Sequence, residues 1–122
     1  MNQPGGAIPT IGVTETAQRV NGPDAQRPLL VDVRETDERI AARVDGAVHV
    51  PMSSFATRYT ELPRDRPILV MCASGARSGA ATAFLLRNGW ADVSNVDGGI
   101  NAWQRAGLPV RSGPIEPGEG EL

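Results

Sequence analysis

Two short apolar runs constrain the possible fold of this chain more than any other feature of its sequence. The runs "LLVDV" at 29–33 and "PILVM" at 67–71 are apolar on both faces, as strands inside a parallel sheet require. Further strand patterns occur at 46–50 and 91–96. Helical patterns alternate with these strands, at 14–20, 35–42, 78–88 and 100–106. The alternation predicts an α/β domain with a mainly parallel sheet and helices on both faces.

The length of 122 residues suits a single domain with looser ends. Residues 1–9 are rich in Pro and Gly and are expected to be loose. The domain itself is expected over 10–111, and 112–122 is expected to form a flexible acidic tail. The first residues lack the basic and apolar stretches that begin a secretory signal. We therefore expect a cytoplasmic protein whose single cysteine is reduced.

The charged residues limit the chemistry and the partners of the protein. All 12 cationic residues are arginine, so neither a lysine Schiff base nor a lysine-bearing phosphate loop is available. The net charge of −2 argues against binding to nucleic acid or to an anionic membrane, both of which favour a basic protein. The apolar runs are too short to span a bilayer. The sequence has no zinc-type ligand pattern, and we expect no metal and no cofactor.

The only thiol of the chain, Cys72, directly follows the strand at 67–71, at the edge where parallel sheets bind ligands. The small or cationic residues that follow it are Ala73, Ser74, Gly75, Ala76, Arg77 and Ser78. Such a loop can curl and point its N–H groups at an anion, at the positive end of the next helix. These donors and the charge of Arg77 would lower the pKa of Cys72. We therefore predict a nucleophilic thiolate inside an anion-binding loop.

Simpler interpretations exist for residues of this region. Cys72 could be a small buried apolar residue at the end of a strand. Ser74 and Ser78 could serve only the turn and the helix cap. The glycines of "DGG" at 97–99 supply a turn, and they could also leave room beside the cysteine loop.

Polar and aromatic residues elsewhere are interpreted mainly as structural. Asp32 is interpreted as a hydrogen-bonding structural carboxylate, and Arg34 as an ion-pair residue at the mouth of the site or on the surface. Direct contact of either residue with substrate is an open alternative. His49 is interpreted as structural, and Trp90 either packs at the sheet edge or lines the pocket.

Four motifs, in this order, resemble those of single-domain rhodaneses, a family of sulfurtransferases. They are "LLVDVRETDE" at 29–38, "VDGAVHVP" at 44–51, "CASGARS" at 72–78 and "VDGGINAWQRAGLPV" at 96–110. The chain departs from the family at Arg43 and Asp45, where the family often has His and Pro. The resemblance covers 11–110 and implies a rhodanese-like fold with a parallel sheet of about five strands.

The resemblance also implies a reaction. Cys72 would take sulfane sulfur from a small anionic donor such as thiosulfate, form a persulfide, and pass the sulfur to cyanide or a thiol. The loop at 73–78 would bind the anion, with Asp32 and Arg34 in support. We expect small-molecule partners rather than nucleic acid or a membrane, and a monomer or weak homodimer.

Two alternatives belong to other classes of protein. Related phosphatases and arsenate reductases place five residues between Cys and Arg, whereas four separate Cys72 from Arg77. The shorter loop predicts a tighter cradle, which suits a single outer sulfur better than a phosphoryl group. The other alternative is a non-catalytic or sulfur-relay module whose partner is a protein sulfur acceptor.

Overall fold

The computed structural model describes residues 8–23 and 27–122, which form a five-stranded sheet with helices. The strands are β1 (Thr10–Ile11), β2 (Leu29–Asp32), β3 (Val48–His49), β4 (Ile68–Met71) and β5 (Val93–Val96). The helices are α1 (Val13–Val20), α2 (Thr36–Ala41), α3 (Met52–Arg58), α4 (Ala76–Arg87) and α5 (Gly99–Arg105), with a 3-10 turn at Tyr59–Glu61. None of the helices in these described ranges is long and apolar enough to cross a membrane.

The strands are ordered β1-β5-β4-β2-β3, and every neighbouring pair is parallel. All residues of β2 and β4 are buried, as the two apolar runs predict. The predicted α/β class with about five parallel strands is thereby confirmed. Because β4 is central, its carboxyl end lies between the loops that follow β2 and β5.

Side chains that alternate along the strands divide the core into two halves. Val31 and Val70 lie in the half that also contains Leu85 of α4. Leu30 and Leu69 lie in the other half, together with residues of α5. Full burial of a side chain of this size contributes about 1.5–3 kcal/mol. Helices therefore cover both faces of the sheet, as predicted.

Trp90 packs in the first half of the core. Its side chain is buried, and the indole N–H donates a hydrogen bond of 3.0 Å to the carbonyl of Pro63. The ring of Tyr59 packs against it, and the guanidinium of Arg64 lies 4.2 Å from the centre of the ring. Of the two sequence interpretations, the structure supports packing.

Several elements differ from the sequence pattern, and helix α3 was not among the predicted helices. Strand β1 is too short to produce a periodic pattern, so the residues alone indicated four strands. Helix α4 begins at Ala76 rather than at 78, because Gly75 ends the loop with a φ of +109°, a conformation that favours glycine. Strand β3 is shorter than the predicted 46–50, since Gly46 lies in a turn with a φ of +86°.

Residues 112–122, which were expected to form a flexible acidic tail, make hydrogen bonds with the domain in the structure. The N–H of His49, on β3, donates a 2.7 Å hydrogen bond to the carbonyl of Gly120. The guanidinium of Arg43 is buried, and it binds the Glu119 carboxylate and backbone carbonyls of this segment. A buried guanidinium requires acceptors. Residues 112–122 supply them, which acidic composition alone does not reveal.

The predicted loose segment 1–9 lies mostly outside the described residues. Its last residue, Pro9, accepts a hydrogen bond of 2.8 Å from the N–H of Asn95. Pro9 therefore continues the pairing of β1 with β5, one residue before the predicted domain boundary at 10.

Candidate active site

Cys72 lies where β4 ends, as predicted, with only 1% of its surface exposed. Its Sγ accepts a hydrogen bond from the N–H of Gly75 at 3.0 Å. The Oγ of Ser78, from the first turns of α4, lies 3.3 Å from the same sulfur. The loop therefore curls as expected and points polar hydrogens at Sγ.

Hydrogen bonds and burial act on the thiol in opposite directions. Burial raises the pKa of Cys72. Donation from the Ser78 hydroxyl and from the N–H groups of Ser78, Gly75 and Ser74 lowers it. The hydrogen bonds outweigh burial, so the pKa of Cys72 lies below its usual value and the sulfur is shifted towards the nucleophilic thiolate.

The first turn of α5 holds the cysteine loop from the other side. The N–H of Ile100 donates to the carbonyl of Cys72 at 2.9 Å, and the N–H of Asn101 donates to that of Ala73 at 3.0 Å. Gly99 permits this approach, because a Cβ there would lie 2.2 Å from the Cys72 carbonyl oxygen. The expectation that glycine leaves room beside the loop is confirmed at Gly99.

Arg77 forms a two-bond ion pair with Glu38 of α2. The guanidinium donates hydrogen bonds of 2.7 and 2.8 Å to the two carboxylate oxygens. The Arg77 partner holds the pKa of Glu38 at about 2. Glu38 and, more weakly, the sulfur of Cys72 raise the pKa of Arg77. The charge of the predicted cation is thus shared with a carboxylate, and the lowered pKa of Cys72 comes mainly from hydrogen bonds of the loop and Ser78.

Glu38 was not among the predicted site residues. It belongs to a capping box at the start of α2, where its side chain accepts the N–H of Glu35 at 2.9 Å. The box is visible in the sequence, but the partner 39 positions away is not. The signal that could have found it is topological: α2 follows β2, which lies beside β4.

Ser78 is more than a cap residue, because it joins the sulfur to Asn95 of β5. Its Oγ lies 2.5 Å from Oδ1 of Asn95, and Nδ2 of Asn95 donates to the carbonyl of Gly75 at 3.2 Å. Asn95 was also missed. A polar residue in a strand next to the cysteine strand, paired with Val70, is the sequence signal for it.

Asp32 and Arg34 form a buried ion pair behind the site. The distance between Arg34 Nη2 and Asp32 Oδ2 is 2.9 Å, and both side chains are almost fully buried. Arg34 also donates to the carbonyls of Glu38 and Ala42. The structural role of Asp32 agrees with the sequence interpretation, whereas Arg34 lies neither at the mouth nor on the surface. The pair fixes α2 and thereby positions Glu38.

His49 also helps to hold Arg34 and α2 in place. Its Nε2 lies 2.6 Å from the carbonyl of Arg34, and its Nδ1 lies 3.3 Å from a guanidinium nitrogen of Arg39. Because a guanidinium only donates and a carbonyl only accepts, Nδ1 accepts and Nε2 carries the proton. Burial lowers the pKa of His49, which favours this neutral form. His49 is structural, as interpreted from the sequence.

A parallel sheet that presents a buried, hydrogen-bonded cysteine at the carboxyl end of its central strand agrees with the resemblance to rhodaneses. The family comparison agrees with this assignment. Residues 13–106 match the family model of the Rhodanese-like domain, and the chain belongs to that family.

Relatives of the chain carry the names of sulfurtransferases. A sulfurtransferase of Allochromatium vinosum is 41% identical over 87 residues, which span 71% of this chain and 81% of that protein. The thiosulfate sulfurtransferase GlpE of Actinobacillus succinogenes is 34% identical over 87 residues, which span 71% of this chain and 78% of that protein. These relatives support a sulfurtransferase activity of the rhodanese type.

A solved structure supports the fold over the whole domain. A rhodanese-related protein from Thermoplasma volcanium superimposes with a TM-score of 0.77 at 30% identity. The match covers 85% of this chain and 98% of the other. The arrangement of strands and helices is therefore that of a rhodanese domain.

Proposed function

We propose that this protein transfers sulfane sulfur from a small anionic donor such as thiosulfate to cyanide or a thiol, through a persulfide on Cys72. The observation that carries the proposal is the set of donors at the sulfur, with the Gly75 N–H at 3.0 Å and the Ser78 Oγ at 3.3 Å. Donors held in place before the reaction stabilise anionic sulfur without further reorganisation. The thiosulfate sulfurtransferase among the relatives supports thiosulfate as donor.

In the first half-reaction the Cys72 thiolate attacks the outer sulfur of thiosulfate. A bond forms between Sγ and that sulfur, the sulfur–sulfur bond of thiosulfate breaks, and sulfite leaves with the bonding electron pair. The product is the persulfide, whose negative charge lies on the outer sulfur. A thiolate needs no general base, so Cys72 can act without a histidine partner.

In the second half-reaction the acceptor attacks the outer sulfur. The bond between that sulfur and Sγ breaks, its electron pair returns to Cys72, and thiocyanate or a new persulfide leaves. Since each step only transfers a sulfur atom from one nucleophile to another, neither step needs an external oxidant, reductant or cofactor. The backbone donors of Ser74, Gly75 and Ser78 stabilise negative charge at the sulfur before and after the transfer.

The loop that follows Cys72 carries small side chains at Ala73 and Ala76. Arg77, whose side chain is 35% exposed, is the positively charged residue of this loop. Because Glu38 neutralises part of that charge, we assign Arg77 to attraction and orientation of the anionic donor rather than to direct hydrogen bonding with Sγ. We further propose that the protein works in the reducing cytoplasm, with small molecules or a thiol-bearing protein as acceptor.

The experiment that tests the proposal is the formation of thiocyanate from thiosulfate and cyanide. We expect the wild-type protein to be active and Cys72→Ser, which is nearly isosteric, to lose all but a few per cent of the activity with an unchanged melting temperature. Hydrolysis of p-nitrophenyl phosphate is measured beside it. Faster phosphate hydrolysis than sulfur transfer, or an active Cys72→Ser variant, would overturn the proposal.

A further inference from the structure

Ser78 has one hydroxyl proton and two neighbours that could receive it. Its Oγ lies 2.5 Å from Oδ1 of Asn95 and 3.3 Å from Sγ of Cys72. A hydroxyl donates once and accepts at its lone pairs. Ser78 therefore donates to Asn95 or to Cys72, but not to both at full strength.

The side chain of Asn95 is held so that it can only accept from Ser78. Its Nδ2 donates to the carbonyl of Gly75 at 3.2 Å, which turns Oδ1 towards the hydroxyl. The shorter of the two Ser78 contacts is the one to Asn95. With Sγ protonated, the chain of donors runs from S–H to Ser78 Oγ and from Ser78 O–H to Asn95 Oδ1. With Sγ ionised, the hydroxyl turns to the sulfur and Oδ1 loses its donor.

We propose that Asn95 is a positioning residue that draws the Ser78 proton away from Cys72 and so favours every state in which Sγ itself carries no charge. Two such states exist, the thiol and, if the proposed function holds, the persulfide. In the persulfide the charge lies on the outer sulfur, one bond further out, so Ser78 can return its proton to Asn95. The Ser78 hydroxyl thus donates to Cys72 when Sγ is ionised, and to Asn95 when Cys72 is a thiol or a persulfide.

This arrangement makes the empty thiolate more reactive and the loaded form more stable. Because the hydroxyl must leave Asn95 before it can donate to the thiolate, the thiolate gains less net stabilisation than Ser78 alone would give. A less stabilised thiolate has a higher pKa and is a stronger nucleophile. When the persulfide forms, the Ser78 hydroxyl can again donate to Oδ1 of Asn95, the nearer of its two acceptors. Asn95 therefore adjusts the balance between the two half-reactions without contacting the substrate.

Several charged groups lie on the elements around the cysteine loop, and the variants used to test the proposal keep all of them. They are Asp32 at the end of β2, Glu38 on α2, Arg77 on α4 and Asp97 after β5. Substitution of Asn95 or Ser78 changes none of these charges. A change in the pKa of Cys72 in these variants thus reports the hydroxyl proton.

The test is the pH dependence of iodoacetamide alkylation of Cys72, which needs no sulfur donor. Asn95→Ala should lower the pKa of Cys72 by about half a unit to one unit, the size of one gained hydrogen bond. Ser78→Ala should raise it. In the Ser78→Ala background, Asn95→Ala should have no further effect. Asn88→Ala, which removes another side-chain amide bonded to a carbonyl at the far end of α4, is the matched control.

Asn95→Val provides a second variant that suits a strand and lacks an acceptor, in case Asn95→Ala does not fold. A raised or unchanged pKa in both variants, or the same decrease in the Ser78→Ala background, would overturn the role of Asn95. The outcome is separate from that of the proposed function. A protein with these pKa changes that forms no persulfide would keep the role of Asn95 and refute sulfur transfer.

Discussion

At the scale of single residues, the sulfur of Cys72 is subject to two opposed influences. Burial favours the neutral thiol, and donors from the loop and from Ser78 favour the thiolate. The sequence predicted the donors correctly, because a run of small residues after a strand implies a curled backbone. It could not predict that the Arg77 charge is shared with Glu38, since that contact joins side chains that are 39 positions apart in the sequence.

Arg77→Ala should lower sulfur-transfer turnover by about 10- to 1000-fold, the range for the loss of one electrostatic stabiliser. The physical reason is that the donor and the persulfide are both anionic. Steady-state kinetics with thiosulfate measure the effect. Arg87→Ala, an exposed arginine on the same helix, serves as control and should have normal activity. Equal kinetics for Arg77→Ala and Arg87→Ala would show that the backbone donors act alone.

The ion pair between Glu38 and Arg77 also predicts a pH dependence. The pKa of Glu38 is lowered from 4.5 to about 2, so the folded state favours its ionised form. The stabilisation is therefore complete above pH 4.5 and is lost as the pH falls through about 2. In Arg77→Ala the carboxyl should titrate close to 4.5, as NMR of the side-chain carboxyl can measure. A midpoint that stays near 2 in this variant would assign the shift to another group.

At the scale of elements, the parallel strands and the loop after β4 were predictable because apolar runs and small-residue loops have local signatures. The strand β1, the early start of α4 and the role of Asn95 were not. Each depends on a neighbour distant in sequence or on one backbone angle, such as that of Gly75. The start of α5 was predictable in part. The sequence indicated that its glycines form a turn, but it did not indicate the hydrogen bonds that they permit between α5 and the cysteine loop.

Gly99→Ala should destabilise the protein by about 1–3 kcal/mol beyond its matched control, because the new Cβ would overlap the Cys72 carbonyl. The control is Gly107→Ala, which has a similarly positive φ but nothing within 4 Å of the new Cβ. Gly107→Ala should lower the free energy of unfolding by only about 1–2 kcal/mol, the cost of an alanine in the left-handed backbone conformation. Urea unfolding measures both. Equal losses of stability in the two variants would mean that the first turn of α5 does not pack closely against the cysteine loop at Gly99.

At the scale of the whole molecule, the described ends of the chain complete the domain. Pro9 extends β1, and the segment from Arg111 to Gly120 runs along the outer side of α2 and β3. The composition of 112–122 suggested a flexible tail because acidic and Gly-rich segments rarely form a core. The buried guanidinium of Arg43 changes this, and its need for acceptors is a property of the folded chain.

A chain that ends at Ser112 should melt several degrees below the full chain, because Arg43 would lose the Glu119 carboxylate and its backbone acceptors. The matched control ends at Gly120 and lacks only two exposed residues, Glu121 and Leu122. Thermal unfolding by circular dichroism compares the three chains. The same melting temperature for all of them would show that the segment adds nothing to stability.

The central claim, that Cys72 carries the transferred sulfur, is tested most directly by intact mass spectrometry after incubation with thiosulfate. The account predicts that the wild-type protein gains the mass of one sulfur atom, that cyanide removes it, and that Cys72→Ser gains nothing. A wild-type protein that stays unmodified, or an equal gain in Cys72→Ser, would contradict the account.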